Sequence, residues 1–296
     1  SLTEIQATLI GTIAILLWGA LALFTTWTGA LPPFQMVALT FSVAFILALG
    51  KWLIRRENPL QYLRHPLPVW GFGICGLFGY HAFYFLALKN APVVEASLIA
   101  YLWPLLIVLF SALLPGERLR WFHIVGTLAG LAGTVVLVTD GGAFSFKGEH
   151  ALGYAAAGAC ALTWSSYSVL SRRFRQVPTD TVGLFCGATA LLGGIASLLF
   201  ETQIWPSDPV IWLGILLLGL GPVGAAFFVW DIGMKHGNIR ILGAASYSAP
   251  LISTLMLIAF SDAVATSAIW FACFAIIGGA VLAAKNMIFK DTLLNT

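Results

Sequence analysis

Ten long apolar stretches divide this chain, at 5–27, 34–52, 69–89, 93–114, 120–138, 151–172, 180–200, 209–232, 240–260 and 266–288. No Asp, Glu, Lys or Arg lies deeper than four residues from the end of any of them. Each stretch is close to the roughly 17–25 residues that an α-helix needs to cross about 30 Å of hydrocarbon. The runs are continuously apolar, without the alternating segments of about ten residues that membrane strands require. Composition agrees, since 59% of the 296 residues are hydrophobic and only 9% charged, against about 25% charged in a soluble domain. So few charges could not cover a water-exposed surface. The expected fold class is an all-α integral membrane protein with ten transmembrane helices.

The first stretch reads as a membrane span and not as a removable leader. It exceeds the apolar core of about 7–15 residues that a signal peptide carries, and no basic segment precedes it. Cys75, Cys160, Cys186 and Cys273 all fall inside predicted spans, so they are expected to be packing residues and not disulfides or metal ligands. No cofactor is implied.

With the N-terminus placed in the cytoplasm, the basic residues sort by side. Lys51, Arg55, Arg56, Arg64, Arg118, Arg120, Arg172, Arg173, Arg175, Lys235, Arg240, Lys285 and Lys290 fall inside; Lys89 and Lys147 fall outside. Thirteen against two accounts for all 15. Acidic residues divide evenly, as expected of a rule that depends on positive charge alone. Both termini are therefore expected in the cytoplasm. The net charge of +3 is explained by this sorting and gives no reason to expect nucleic acid as a partner.

A shift of 146 residues aligns the chain with itself. It superposes Trp18 on Trp164, Gly73 on Gly219, Lys89 on Lys235 and Gly133 on Gly279, and it lays Tyr101-Leu102-Trp103-Pro104-Leu105 over Tyr247-Ser248-Ala249-Pro250-Leu251. Each copy holds five spans, and an odd number makes the second copy start on the opposite side. The expected division is a first five-helix repeat over 1–138, an external linker over 139–150 and a second repeat over 151–296. Inverted repeats supply two arrangements of similar energy related by exchange of the halves, the usual basis of alternating access in secondary transporters.

The ten spans, the five-plus-five duplication and a proline in the fourth helix of each half together resemble the drug/metabolite transporter superfamily, EamA type. Leu102-Trp103-Pro104-Leu105 and Ser248-Ala249-Pro250-Leu251 carry those prolines; Ala87-Leu88-Lys89 followed by Ala96-Ser97-Leu98-Ile99 resembles that family's junction of third and fourth helices. The similarity covers essentially the whole chain. It implies a multi-pass protein of the bacterial cytoplasmic (inner) membrane, working as an exporter by alternating access. It also implies a cavity lined by spans 1, 3, 4, 6, 8 and 9, with spans 5 and 10 as peripheral scaffold. The sequence departs from exact two-fold symmetry where Leu102-Trp103 becomes Ser248-Ala249, so the cavity is expected to be asymmetric in bulk.

Candidate site residues follow. Pro104 and Pro250 each remove a helix donor and push away the carbonyl four residues earlier, that of Ala100 or Ser246. Two compatible roles stand open, a hinge and a set of carbonyls facing a wet cavity. His81 is near the centre of its span, where ionisable groups are functional suspects. It either hydrogen-bonds a neighbouring helix or lines the substrate path. Trp52, Trp70, Trp121, Trp205, Trp212 and Trp270 lie near span ends, as interfacial belts do. Trp18, Tyr80, Tyr84, Tyr101, Trp103, Trp164, Tyr167 and Tyr247 lie deeper, on the helices that would face the centre. They suit either helix packing or stacking on an aromatic substrate and cation–π contact with its ammonium. Together with His81 and Ser246, these eight make the candidate substrate-binding set.

The expected substrate class is aromatic and other apolar amino acids, moved by facilitated diffusion. No carboxylate stands near the midplane to serve as an exchangeable proton site. Glu95 and Asp231 lie at span ends, the latter four residues before Lys235 and suited to an ion pair. A proton-coupled exporter of drugs or other metabolites is the alternative, and an intramembrane enzyme a remote one, because no HExxH, GxSxG or paired acids occur. Gly71-Phe72-Gly73-Ile74-Cys75-Gly76 matches a dinucleotide-binding pattern but has no strand before it. Gly126, Gly130 and Gly133 have the spacing of a packing face, for the partner half or for another subunit. The chain is expected to be a monomer or a weak homo-oligomer in contact with lipid.

Overall fold

The computed structural model describes residues 1–289, and no strand occurs among the described residues. Lys290, one of the basic residues counted above, lies outside them. Ten helical segments of 17 residues or more follow in order among the described residues. They are α1 (Glu4–Thr26), α2 (Pro33–Ile54), α3 (Leu67–Asn90), α4 (Val93–Ser111), α5 (Trp121–Thr139), α6 (Ala151–Leu170), α7 (Thr181–Phe200), α8 (Pro209–His236), α9 (Ile239–Phe260) and α10 (Ser267–Ala283). Eight of them, α1–α5 and α7–α9, are long and apolar enough to cross a membrane, and α10 is a shorter apolar helix. The 20 residues of α6 include Tyr154, Thr163, Ser165, Ser166, Tyr167 and Ser168, which make it more polar than its neighbours.

Two helix ends differ from the sequence reading. α8 runs on to His236 because arginines satisfy the carbonyls that a helix end leaves bare. Arg172 donates to Met234 O (2.7 Å) and Gly237 O, and Arg175 to Lys235 O (3.0 Å). α10 stops at Ala283, and a five-residue helix, Lys285–Phe289, follows it. There the Lys285 ammonium stands over the rings of Trp121 and Phe122, at 4.8 and 4.4 Å.

Five helices are irregular at mid-length. α1 is interrupted at Ala20. α3 contains a π-helical turn at Cys75–Gly79 and α8 another at Gly221–Ala225, and the offset of 146 carries one onto the other. α4 breaks at Tyr101–Leu102 and α9 at Ser246–Tyr247, which that offset brings to within one residue of each other. Pro104 and Pro250 sit just after these breaks, within the first turn of the helix that resumes. That is where a proline's missing N–H costs least.

Hydrogen bonds and ion pairs sort the connections into two groups. The N-terminal turn and the α2–α3, α4–α5, α6–α7 and α8–α9 connections meet one another. Asn238 bonds Thr8 Oγ1 and Glu4, Lys51 and Tyr62 bond Asp180, and Glu117 pairs with Arg172 and Arg240. The other connections meet at a second end. Gln35 exchanges two hydrogen bonds with Ile204, Thr266 bonds Asp140, and the amide of Ser145 bonds Glu95.

The seams between helices are closed by glycine. A Cβ added to Gly126 on α5 would stand 2.3 Å from the Gly279 carbonyl oxygen on α10, and one added to Gly279 would stand 2.3 Å from that of Gly126. Gly183 and Gly193 on α7 face Ala48 and Val37 on α2, whose side chains a Cβ would meet at 2.6 and 2.7 Å. The α2–α7 pair is also tied at both ends. At one, Glu201 accepts from the amides of Phe34 and Gln35 (2.9 and 3.0 Å). At the other, burial raises the Asp180 pKa, but hydrogen bonds from Lys51 and Tyr62 together with the lysine's charge outweigh it and hold the carboxyl below its ordinary value.

Gly126→Leu should therefore force the α5–α10 seam apart at a cost of about 1–3 kcal/mol, read as a lowered thermal midpoint in detergent. Gly158→Ala, where a Cβ meets open space, should leave the midpoint unchanged or raise it.

Candidate functional site

The irregular helices surround a cavity of about 680 Å³, within the range of about 300–1,000 Å³ typical of small-ligand sites. It opens toward the α1–α2 connection, where Gly29, Leu31 and Pro33 form its rim and Thr28 lines it from a buried position. Its walls come from α1, α3, α4, α6, α8 and α9, with Met36, Val37 and Thr40 added by α2. Among the described residues, no Asp, Glu, Lys or Arg lines it.

Seven of the ten residues expected at a substrate site line this cavity: Trp18, Tyr80, His81, Tyr84, Tyr101, Trp103 and Trp164. Three do not. Tyr167 packs behind Trp164 (5.2 Å, stacked) and against Phe72 (4.7 Å), bordering a separate groove of about 350 Å³ between α3 and α6. Ser246 is buried, with its hydroxyl donating to Leu242 O and its carbonyl accepting from the Ala249 amide (3.1 Å). Tyr247 is fully buried against Gly130 and donates its hydroxyl to Tyr101 O (2.7 Å). Pro250 lines the cavity and Pro104 does not.

His81 is placed by the π-turn. Its Nδ1 lies 2.7 Å from Leu77 O. A carbonyl only accepts, so Nδ1 carries a proton, and in the neutral ring Nε2 is then an acceptor. Phe41 meets the imidazole edge-on at 5.1 Å. Tyr80 and Tyr84 stack 6.1 Å apart along the same helix. Beneath them a group of indoles forms the floor, with Trp18 contacting Trp103 at 6.0 Å, Trp164 at 5.8 Å and Trp230 at 5.1 Å. Two of these indoles are fixed by hydrogen bonds: Trp18 Nε1 donates to Pro222 O in the α8 π-turn and Trp230 Nε1 to Ser168 Oγ, each at 3.0 Å.

Sequence reasoning missed Phe227, which lines the cavity, and Trp230, which closes its floor. Both lie on a helix already expected to face the centre. The readable signal was a Trp one residue from an in-membrane acid. That acid, Asp231, pairs with Lys235 at 2.9 Å, as the spacing indicated, and both are buried.

This arrangement defines a multi-pass membrane transporter. The EamA-like transporter family model matches the chain twice, over residues 6–139 and 151–284. The chain belongs to that family, and a transporter, not an enzyme, is what its relatives indicate. The aromatic amino acid exporter YddG of Ancylobacter novellus is 56% identical over 279 residues, covering 94% of this chain and 96% of that protein. The aromatic amino acid exporter YddG of Escherichia coli strain K12 is 27% identical over 299 residues, covering 95% and 97%. A crystal structure of a protein 55% identical superposes with a TM-score of 0.89, covering 94% of this chain and 96% of the other.

His81→Ala should leave the thermal midpoint near that of the unaltered chain and slow transport. If the ring bonds a charged group of the cargo, losing about 1.5–3 kcal/mol slows the step by about tenfold or more. Unchanged flux would remove His81 from the path.

Proposed function

We propose that this chain exports aromatic and other apolar amino acids across the bacterial inner membrane by alternating access. The carrying observation is the cavity itself, large enough for one amino acid, walled by Trp, Tyr and Phe rings and free of fixed charge. Aromatic rings offer an apolar side chain both stacking and edge contacts. A net-neutral zwitterion needs no counter-charge, whereas a drug-like cation would want a carboxylate that the cavity lacks. Within the site, Nε2 of neutral His81 suits the ammonium of the cargo better than its carboxylate. The indole and tyrosine faces add cation–π attraction. Trp18, Tyr80, His81, Tyr84, Tyr101, Trp103 and Trp164 are assigned to cargo contact; Tyr167, Ser246 and Tyr247 hold the walls in place.

In this reading all ten helices cross the bilayer as two inverted repeats, over 1–138 and 151–296, with 139–150 as an external linker and both termini in the cytoplasm. Several observations support it. α6 and α10 each begin in one group of connections and end in the other. The 146-residue offset maps π-turn onto π-turn and brings the α4 break to within one residue of the α9 break. Close contacts obey the same exchange, because Gly126 against Gly279 is the image of Ala272 against Gly133. The basic residues of the first group of connections favour the cytoplasm for that end, and in this reading the cavity opens outward. With no carboxylate in its walls, the carrier works by facilitated diffusion.

Labelled phenylalanine should enter proteoliposomes down its gradient, with a choline-like cation excluded. Equal flux of the cation would contradict the cargo assignment. An imposed pH gradient should not drive phenylalanine uphill, and if it does the facilitated mechanism is wrong.

A further inference from the structure

At the end opposite the cavity mouth, three helices that frame the cavity are joined by one acid. Glu117, in the α4–α5 connection, meets Arg172 at the end of α6 (3.3 Å) and Arg240 at the start of α9 (3.0 Å). The three side chains are 15–18% exposed. Each guanidinium is held further, Arg172 by Met234 O and Gly237 O, Arg240 by Arg118 O. A carboxylate shared between two oriented guanidinium groups is strengthened by its partly dry surroundings and by the ordering of the donors.

The repeat supplies a comparison within the same molecule. Under the 146-residue offset Glu117 corresponds to Ala263, Arg172 to Thr26 and Arg240 to Val94. These three positions lie at the end where the cavity opens, and Thr26 lines its wall. All three are uncharged. If the halves exchange conformations on passing from outward-open to inward-open, the contacts that shut the mouth involve these neutral residues, while those that shut the other end involve an acid and two arginines.

We propose that Glu117, Arg172 and Arg240 form a one-sided latch, so that the empty carrier rests outward-open. This rests on the inverted-repeat reading of the transporter. Opening the cytoplasmic side separates Glu117 from its arginines, and no ionic contact forms at the mouth in return. Cargo bound from the cytoplasm meets a minor state, and its apparent affinity there is reduced by that state's population. Cargo concentrated inside the cell can still be carried out, while the resting carrier leaves the cytoplasmic entrance shut.

The test uses the full-length chain in lipid nanodiscs, with Cys75 and Cys273 replaced by serine and spin labels at Asn90 and Ser261 across the mouth. Without cargo, the unaltered latch should give mainly the long, open-mouth distance. Glu117→Gln should raise the ratio of closed to open mouth by about tenfold, equivalent to about 1.4 kcal/mol. Grafting the latch onto the mouth with Thr26→Arg, Val94→Arg and Ala263→Glu should shift the ratio in the same direction with the native latch intact, so the graft decides the matter if Glu117→Gln does not fold. A folded graft with the unaltered distance distribution overturns the proposal. If the distances shift as stated but the chain carries no phenylalanine, the latch stands and the cargo assignment falls. If phenylalanine is carried and the distances do not move, the latch alone falls.

Discussion

A backbone carbonyl freed inside hydrocarbon has no water to bond, and this requirement organises the centre of the molecule. Five helices are broken or locally widened into π-turns at mid-length, and each such place needs a partner. Trp18 reaches from α1 to the Pro222 carbonyl in the α8 turn, and Tyr247 reaches from α9 to the Tyr101 carbonyl at the α4 break. In both cases the donor comes from the opposite half. The breaks lie beside the cavity, and the side chains that satisfy them stand in its wall, as Trp18 does, or directly behind it, as Tyr247 does. Cavity and interlocking of the halves therefore meet at the same breaks.

The remaining helices meet a different demand. α5 against α10 and α2 against α7 approach closely through glycine and alanine, with little side chain between the backbones. Such seams gain dispersion contact over a long line and tolerate little sliding. Ties at both ends of the α2–α7 pair add to this. A transport cycle built on the fold would leave these seams in place and rearrange the broken helices, whose local irregularities already depart from regular helix geometry.

Much of this was legible in the sequence because lipid imposes a simple rule on length and polarity. Starts and stops such as Pro33 and Pro209 lie within a few residues of where hydropathy alone put them. The duplication was also legible, through Trp18 and Trp164 and through the two proline segments. The register of side chains around each helix was not. Tyr101 lines the cavity while its image Tyr247 is buried behind it, and in a continuously apolar helix an inward and an outward aromatic have the same sequence signature. Nor could sequence reveal the π-turns, since Cys75–Gly79 and Gly221–Ala225 share glycines but little else. Glu117, Arg172 and Arg240 read only as flanking charges, because the contacts that unite them span 55 and more positions of chain.

The central claim is that two copies of one five-helix unit lie antiparallel around a common chamber. It is tested most directly by sidedness at a pair of positions related by the repeat. Gln61 and Ser207 are 146 residues apart and both are exposed, in the α2–α3 and α7–α8 connections. With single cysteines at these sites, a membrane-impermeant maleimide added to intact cells should label Ser207→Cys and leave Gln61→Cys unlabelled until the membrane is opened. Labelling of both from the same side would contradict the antiparallel arrangement and the transport mechanism that depends on it.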